Sequence, residues 1–501
     1  MSEYNPPRRS TVSSGGFPLD INMMVSAFLR PLQDRSIKAA SETAIGSMIL
    51  NTLTEFVVGQ GLEVQASPEN SVLKWDEATR SRVISEFESF FRMYANSRRI
   101  DHYGKMNFYQ TQKVVFRNGM REGDFLLRRS YRNGHHDYEP YFQVLSGRWV
   151  RNPGNNFMDT KKITGGVEFD DAGREVAYWI AQTMDDRQDT YQSKPVRKYN
   201  PVSKFEEYNL VRFGIREANQ VRGIPCLSPV LEDIFELETF KAAYKIKAAT
   251  QALFTGVITT EKDAPAPAVS TLDTIRNLQT PKREKPEALP HKVDDVELGT
   301  GNIISLAPGE KFDMAESKVP ATDYEKFVET ELSHICAGVG DGGLAYEMVL
   351  QKYSNNYSAS RATIAGQEKK FRNLRDDLAA GFCTPVWEQV IDWGIRTGKL
   401  DAPGYLEGDW RTRQAILACT WIGPSPINID PKKEVEAHIL AISAGLETKE
   451  QACRELFQTD YEETAERLGR ERSMDPTAID TSGIKPSEED EKEKKTDEEN
   501  E

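Results

Sequence analysis

Three glycines, Gly338, Gly340 and Gly343, have the spacing of a dinucleotide fingerprint, in which backbone amides opening a helix cradle a pyrophosphate. That chemistry needs a strand before the glycines. Here a helical pattern precedes them, so the expected role is a hinge where the backbone turns sharply. No G-x-x-x-x-G-K-[ST] phosphate loop and no G-x-S-x-G nucleophile elbow occurs in the chain. His135 and His136, beside Asp137, look like metal ligands, but adjacent side chains on a strand point to opposite faces, and a solvated hairpin tip is expected. The five cysteines (Cys226, Cys336, Cys383, Cys419, Cys453) are widely spaced with no C-x-x-C pair, which argues against a zinc site and a disulfide framework. The expectation is no enzyme activity, no cofactor and no metal.

Two other groups of residues suit contact with a polyanion or a partner protein. Lys282, Arg283, Lys285 and Lys292 form a basic cluster in a proline-rich stretch, read either as a solvated turn or as a docking surface for DNA or an acidic partner. Lys352, Tyr353, Asn355 and Asn356 lie in a polar segment between two helical patterns, and loops of this length between helices are uncommon and usually functional. A lysine there can follow phosphates with one mobile charge. The asparagines and Ser358 can instead hydrogen-bond the local backbone and cap the next helix.

Charge narrows the options. Over 501 residues the formal net charge is −14. Lys485–Glu501 holds nine acidic and four basic residues, which leaves the remaining chain acidic as well. That argues against a protein that grips nucleic acid through phosphate neutralisation, and it leaves open a surface past which DNA slides. No apolar signal core follows Arg8 and Arg9, and no stretch approaches a membrane span, so no membrane partner is expected.

The elements that must position these residues read as α+β. Helical spacing runs from about Ile37 to Val58, ended by Gly59-Gln60-Gly61, and again over Asp76–Ala95 and Phe108–Arg117. Hairpins are expected from Asp124–Tyr131 with Tyr141–Leu145, and from Gly166–Phe169 with Val176–Ile180; Val211–Ile215 reads as a further strand. Long helices follow over Leu227–Phe254, Asp323–Val339 and Ser358–Gly398. Phe327, Leu332 and Ile335 form an apolar stripe on the second. Gly381 and Thr384-Pro385 mark a kink or restart of the third, with the threonine as cap. Asp430-Pro431, Thr448-x-x-Gln451 and Asp460-x-x-Glu463 each announce a shorter helix.

Several separated segments, taken in order, resemble the lambda family of tailed-phage portal proteins. They are Phe56-Val-Val-Gly-Gln-Gly-Leu62, Arg121-Glu-Gly-Asp-Phe-Leu-Leu127 and Gly166-Val-Glu-Phe-Asp-x-x-Gly-Arg-x-Val-Ala-Tyr178, then Asn219-Gln-Val-Arg-Gly-Ile-Pro225, the Gly343–Ala362 stretch, Trp421-Ile-Gly-Pro424 and Ile429-Asp-Pro-Lys-Lys-Glu434. Asn219 stands where the family has a common glycine, and in Arg121–Leu127 the glycine and acid look exchanged. Gln458 likewise stands where a glycine is usual. The resemblance implies a portal-protein fold with an α/β wing, a two-helix stem, a small clip insertion, a long kinked wing helix and a helical crown. Its divisions would be a flexible N-terminal arm (1–30), wing (31–226), stem helix 1 (227–256), clip (257–320), stem helix 2 (321–339), tunnel loop (340–357), long wing helix and return (358–429), crown (430–472) and a disordered acidic tail (473–501).

The resemblance also implies a homo-oligomeric ring, typically of 12 subunits, at the capsid vertex of the virion, assembled in the host cytoplasm. Such a ring is a conduit for double-stranded DNA during packaging and ejection. Its partners are the terminase large subunit, head-tail connector proteins and the major capsid and scaffold proteins. Without a phosphate loop the chain is not the packaging motor. On this reading Lys352, Tyr353, Asn355 and Asn356 face the DNA channel, Lys282, Arg283, Lys285 and Lys292 serve docking at the clip, and Phe327, Leu332 and Ile335 offer a stem face to neighbouring subunits. The residues alone leave two other classes open: a metal-dependent DNA-processing enzyme, and an internal capsid scaffold or adaptor.

Overall fold

The computed structural model describes residues 21–133, 138–153, 162–181, 193–253, 257–260, 310–313, 324–352, 357–424, 431–456 and 461–474. Its helices are α1 (Ile21–Glu42), α2 (Ala44–Val57), α3 (Asn70–Leu73), α4 (Glu77–Asn96), α5 (Phe108–Glu122), α6 (Leu231–Leu253), α7 (Tyr324–Gly338), α8 (Tyr346–Leu350), α9 (Tyr357–Leu378), α10 (Thr384–Arg396), α11 (Trp410–Leu417), α12 (Pro431–Ser443), α13 (Lys449–Leu456) and α14 (Tyr461–Met474). The strands are β1 (Glu63–Ala66), β2 (Asp124–Asn133), β3 (Tyr138–Ser146), β4 (Ile163–Thr164), β5 (Val167–Phe169), β6 (Glu175–Ala181), β7 (Ser193–Arg197), β8 (Tyr208–Arg212), β9 (Val257–Thr260), β10 (Glu310–Asp313) and β11 (Cys419–Ile422).

An α+β organisation is therefore observed, with four small antiparallel sheets in the orders β3-β2-β8, β4-β5-β6-β7, β1-β11 and β9-β10. The main core gathers α2, α4, α5, β2 and α10 around an aromatic cluster. Phe91 meets Trp387 and Phe108 edge-on, at centroid distances of 5.1 and 5.3 Å, and Phe108 stacks on Phe382 at 5.5 Å. A smaller core, including Leu126, Val167, Tyr178 and Leu210, joins the two larger sheets.

Several local expectations change. The flexible arm read for residues 1–30 does not extend to 21–30, which open α1; Val25 and Leu29, one turn apart, are both buried there. Residues 1–20 lie outside the described residues. The helix expected as one piece from Ile37 is broken at Thr43, whose hydroxyl accepts a hydrogen bond from the Gly46 amide and so caps α2. The strand expected at Val211–Ile215 is instead Tyr208–Arg212, because Gly214 takes a φ of 67° that turns the chain out of the sheet.

The interruption of the long helix has a physical cause. Pro385 lacks the amide that would bond the Gly381 carbonyl, and the Asn209 side chain donates to that carbonyl instead, at 3.4 Å. Between α9 and α10 the backbone widens into a π segment, Ala379–Cys383, with the Thr384 amide bonded to the Ala379 carbonyl. Thr384 does not cap the restart; its hydroxyl accepts from the Trp421 indole at 3.0 Å. Gly381 lies so close to Val211 that a Cβ would sit 2.4 Å from a valine methyl.

Candidate functional site

The glycine-rich segment is a turn held entirely by its own chain. The Gly340 amide donates to the Cys226 carbonyl (2.7 Å), Gly343 to Val339 (2.9 Å) and Leu344 to Cys336 (2.7 Å). Those amides are not offered to a phosphate. Asp341, Gly342 and Gly343 have φ values of 62°, 109° and 69°, and a Cβ on Gly340 would lie 3.2 Å from Cys226, so the glycines permit both the turn and the close approach. Lys370 of α9 donates to the Gly342 carbonyl and ties the far side of the turn. Desolvation pushes the Asp341 carboxyl up to about 6, opposed by Arg216 and reinforced by Asp377. The residue still reaches solvent, which limits that shift. Burial raises the Cys226 thiol well above its ordinary range and the Cys336 thiol to about 12, as expected of inert core cysteines.

From the turn the chain enters α8, whose Met348 and Val349 are buried. Gln351 ends α8 in the left-handed conformation, and the Lys352 amide closes the cap on the Glu347 carbonyl at 3.0 Å. The Lys352 ammonium lies 2.7 Å from Glu329 and 3.4 Å from Glu325, both on α7. Hydrogen bonds to Glu329 and then Glu325 raise its pKa. Lys352 is therefore exposed but engaged by protein. Tyr353, Asn355 and Asn356 lie outside the described residues, as do His135, His136, Lys282, Arg283, Lys285 and Lys292. Among the described residues no group of three or more His, Cys, Asp or Glu side chains is arranged to hold a metal ion, and no helix is long and apolar enough to cross a membrane.

The long helices α6 and α7 pack against each other and change character along their length. Near the body Ile234, Leu237, Leu332 and Ile335 are buried. Farther out, Phe240 contacts Phe327 at 4.8 Å and Tyr244 stacks on Tyr324 at 4.1 Å, yet Phe240, Phe327 and Ile246 are 40, 43 and 68% exposed. The expected stem stripe is thus divided. Leu332 and Ile335 are spent inside this chain and cannot serve a neighbouring subunit, a correction that follows from their place at the base of the helix pair. Phe327 keeps an open face.

Sequence reasoning missed a pair of buried charges. Arg222 and Asp124 form a bidentate ion pair at 2.6 and 2.8 Å, their side chains 3% and 0% exposed. The same guanidinium donates to the carbonyls of Gly147, Val150 and Gly165. Gly123 and Gly223 meet there so closely that a Cβ on Gly223 would overlap the Gly123 carbonyl. The signal was present as two glycine-flanked opposite charges, Gly123-Asp124 and Arg222-Gly223. A second junction joins Phe56–Leu62 to Trp421–Pro424: Arg375 donates to the Phe56 and Val57 carbonyls, and a Cβ on Gly59 would strike Pro424. Four of the segments that carried the resemblance are thus joints of the fold.

Comparison with known proteins agrees. A family model described as phage portal protein, lambda family, matches residues 11–375. Portal protein B of Escherichia phage lambda is 25% identical over 381 residues, spanning 71% of this chain and 68% of that protein. The portal protein of Escherichia phage N15 is 25% identical over 385 residues, with the same coverage. Among solved structures, a chain from the neck of an empty GTA particle aligns over 88% of this chain and 93% of its own, with 10% identity and a TM-score of 0.43. The chain belongs to the lambda family of phage portal proteins.

Proposed function

We propose that copies of this chain close into a ring of about twelve subunits at the capsid vertex, enclosing a channel for double-stranded DNA in packaging and ejection. The observation that carries this reading is the family match along residues 11–375. The half-exposed aromatic faces of α6 and α7 support it, because a heterologous ring contact would cover them. In this reading α6 and α7 are the stem and residues 257–320 the clip, where the terminase large subunit and the head-tail connector proteins dock on Lys282, Arg283, Lys285 and Lys292. Residues 31–226 and 358–429 form the wing beside the major capsid and scaffold proteins, and 430–472 form the crown. Tyr353, Asn355 and Asn356 face the channel, with Lys352 at the base of that segment. The chain makes and breaks no bond; it is a conduit and a docking platform within the virion.

Sedimentation of the purified full-length chain tests this. A single boundary at the mass of about twelve chains supports it. Monomer at every concentration and salt condition contradicts it. Reversing the charges at Lys282, Arg283, Lys285 and Lys292 should abolish capture of the terminase large subunit while the ring persists; undiminished capture would remove the clip assignment.

A further inference from the structure

Glu325 and Glu329 stand one turn apart on the exposed face of α7, an arrangement that destabilises a helix through like-charge repulsion. A lysine relieves it. The Lys352 ammonium takes both carboxylates, at 2.7 and 3.4 Å, and comes from a different element. Its approach is set by backbone geometry: Gln351 at φ 53° reverses the end of α8, and the Lys352 amide is fixed on the Glu347 carbonyl. Cap and fork act on the same residue.

We propose that Lys352 is a positioning residue, a latch that fastens the C-terminal end of α8 to α7 through Glu325 and Glu329. It thereby fixes the point from which the chain leaves toward α9. Its charge is committed to protein, so it acts on DNA only by placing the backbone. That last consequence rests on the portal reading; the latch itself does not. Glu329, the nearer and less exposed carboxylate, carries more of the bond than Glu325.

Amide hydrogen exchange on the full-length chain at low salt is the first test. Lys352→Ala and the double change Glu325→Gln/Glu329→Gln should each speed exchange at Met348–Lys352 about two- to fivefold. Combining them should add nothing further, since both remove one interaction. Lys352→Arg should restore protection, and about 1 M salt should reproduce the loss in the wild-type chain. Unchanged exchange in Lys352→Ala, or additive effects, would overturn the latch.

A second arm separates latch from direct phosphate contact, by measuring DNA retention in assembled rings. A latch makes Lys352→Ala and Glu325→Gln/Glu329→Gln change retention in the same direction. A phosphate contact makes them opposite, because removing the glutamates frees the ammonium, and that outcome overturns the proposal. If no ring forms, the portal reading fails and the exchange arm still decides the latch.

Discussion

Two aromatic clusters in this chain use the same residue types and end differently. Around α4, α5 and α10, Phe87, Phe91, Phe108, Phe382 and Trp387 are all fully buried and meet mostly edge-on. On the outer half of α6 and α7, Phe240, Tyr244, Tyr324 and Phe327 also pack on one another, but among the described residues Phe240 and Phe327 stay 40 and 43% exposed. Edge-to-face pairs add about 0.5–1.5 kcal/mol each beyond burial, so the first cluster contributes strongly to the stability of the single chain. The second leaves apolar area in water, which another copy would remove.

The sharpest way to break the comparison is to damage the covered cluster. Phe91→Ala should cost about 3–5 kcal/mol in urea unfolding, from lost transfer energy plus a cavity. A cost below about 1 kcal/mol would mean the cluster is looser than its geometry indicates. Arg222→Met should cost a similar 3–5 kcal/mol, since it strands the Asp124 carboxylate in the interior; replacing both partners with apolar residues should cost much less. Gly381→Ala forces a methyl against Val211 and should cost about 1–3 kcal/mol, read as a lower thermal midpoint.

A pH effect comes next. Burial pushes the Glu388 carboxyl up, with Arg129 opposing. A raised carboxyl contributes stability that is full below the ordinary carboxylate range and is lost as pH climbs through the raised value. Glu388→Gln should therefore stabilise the chain at pH 7 and not at pH 4, with Arg129 keeping Glu206 at 2.9 Å. Equal unfolding midpoints at pH 7 would show that the Arg129 attraction cancels the desolvation. The smallest effect on the single chain is expected on the open cluster: Ile246→Ser should change stability by no more than about 0.5 kcal/mol, and Phe240→Ala by about 1 kcal/mol. The same pair should nevertheless shift sedimentation from ring to monomer. Intact rings would remove this face from the subunit contact.

Much of the fold was legible because local rules agreed with it. The strand patterns over Asp124–Tyr131 and Tyr141–Leu145 announced the β2–β3 hairpin, and the observed register pairs Ser130 with Tyr141. Thr448 and Gln451 form the expected reciprocal cap, at 3.1 and 3.2 Å. The family resemblance was equally legible, and four of its segments, Arg121–Leu127 with Asn219–Pro225 and Phe56–Leu62 with Trp421–Pro424, proved to be joints between distant parts of the chain. What periodicity could not give was which stripes are covered. Leu332 and Phe327 sit on one helix with like spacing, and only the tertiary neighbours make one core and the other surface. The pairing of β1 with β11 was equally hidden, since short strands more than 350 positions apart carry no local sign of each other. Lys352 was legible as a charge on an exposed segment; that two glutamates hold it depends on how α8 folds back on α7.

In the proposed function, copies of this chain build a ring around a channel. Electron microscopy of the purified full-length protein, with class averages viewed down the particle axis, tests it most directly. Closed rings of about a dozen subunits around a pore that admits a duplex about 20 Å wide are expected. Small isolated particles under all salt and concentration conditions would contradict it.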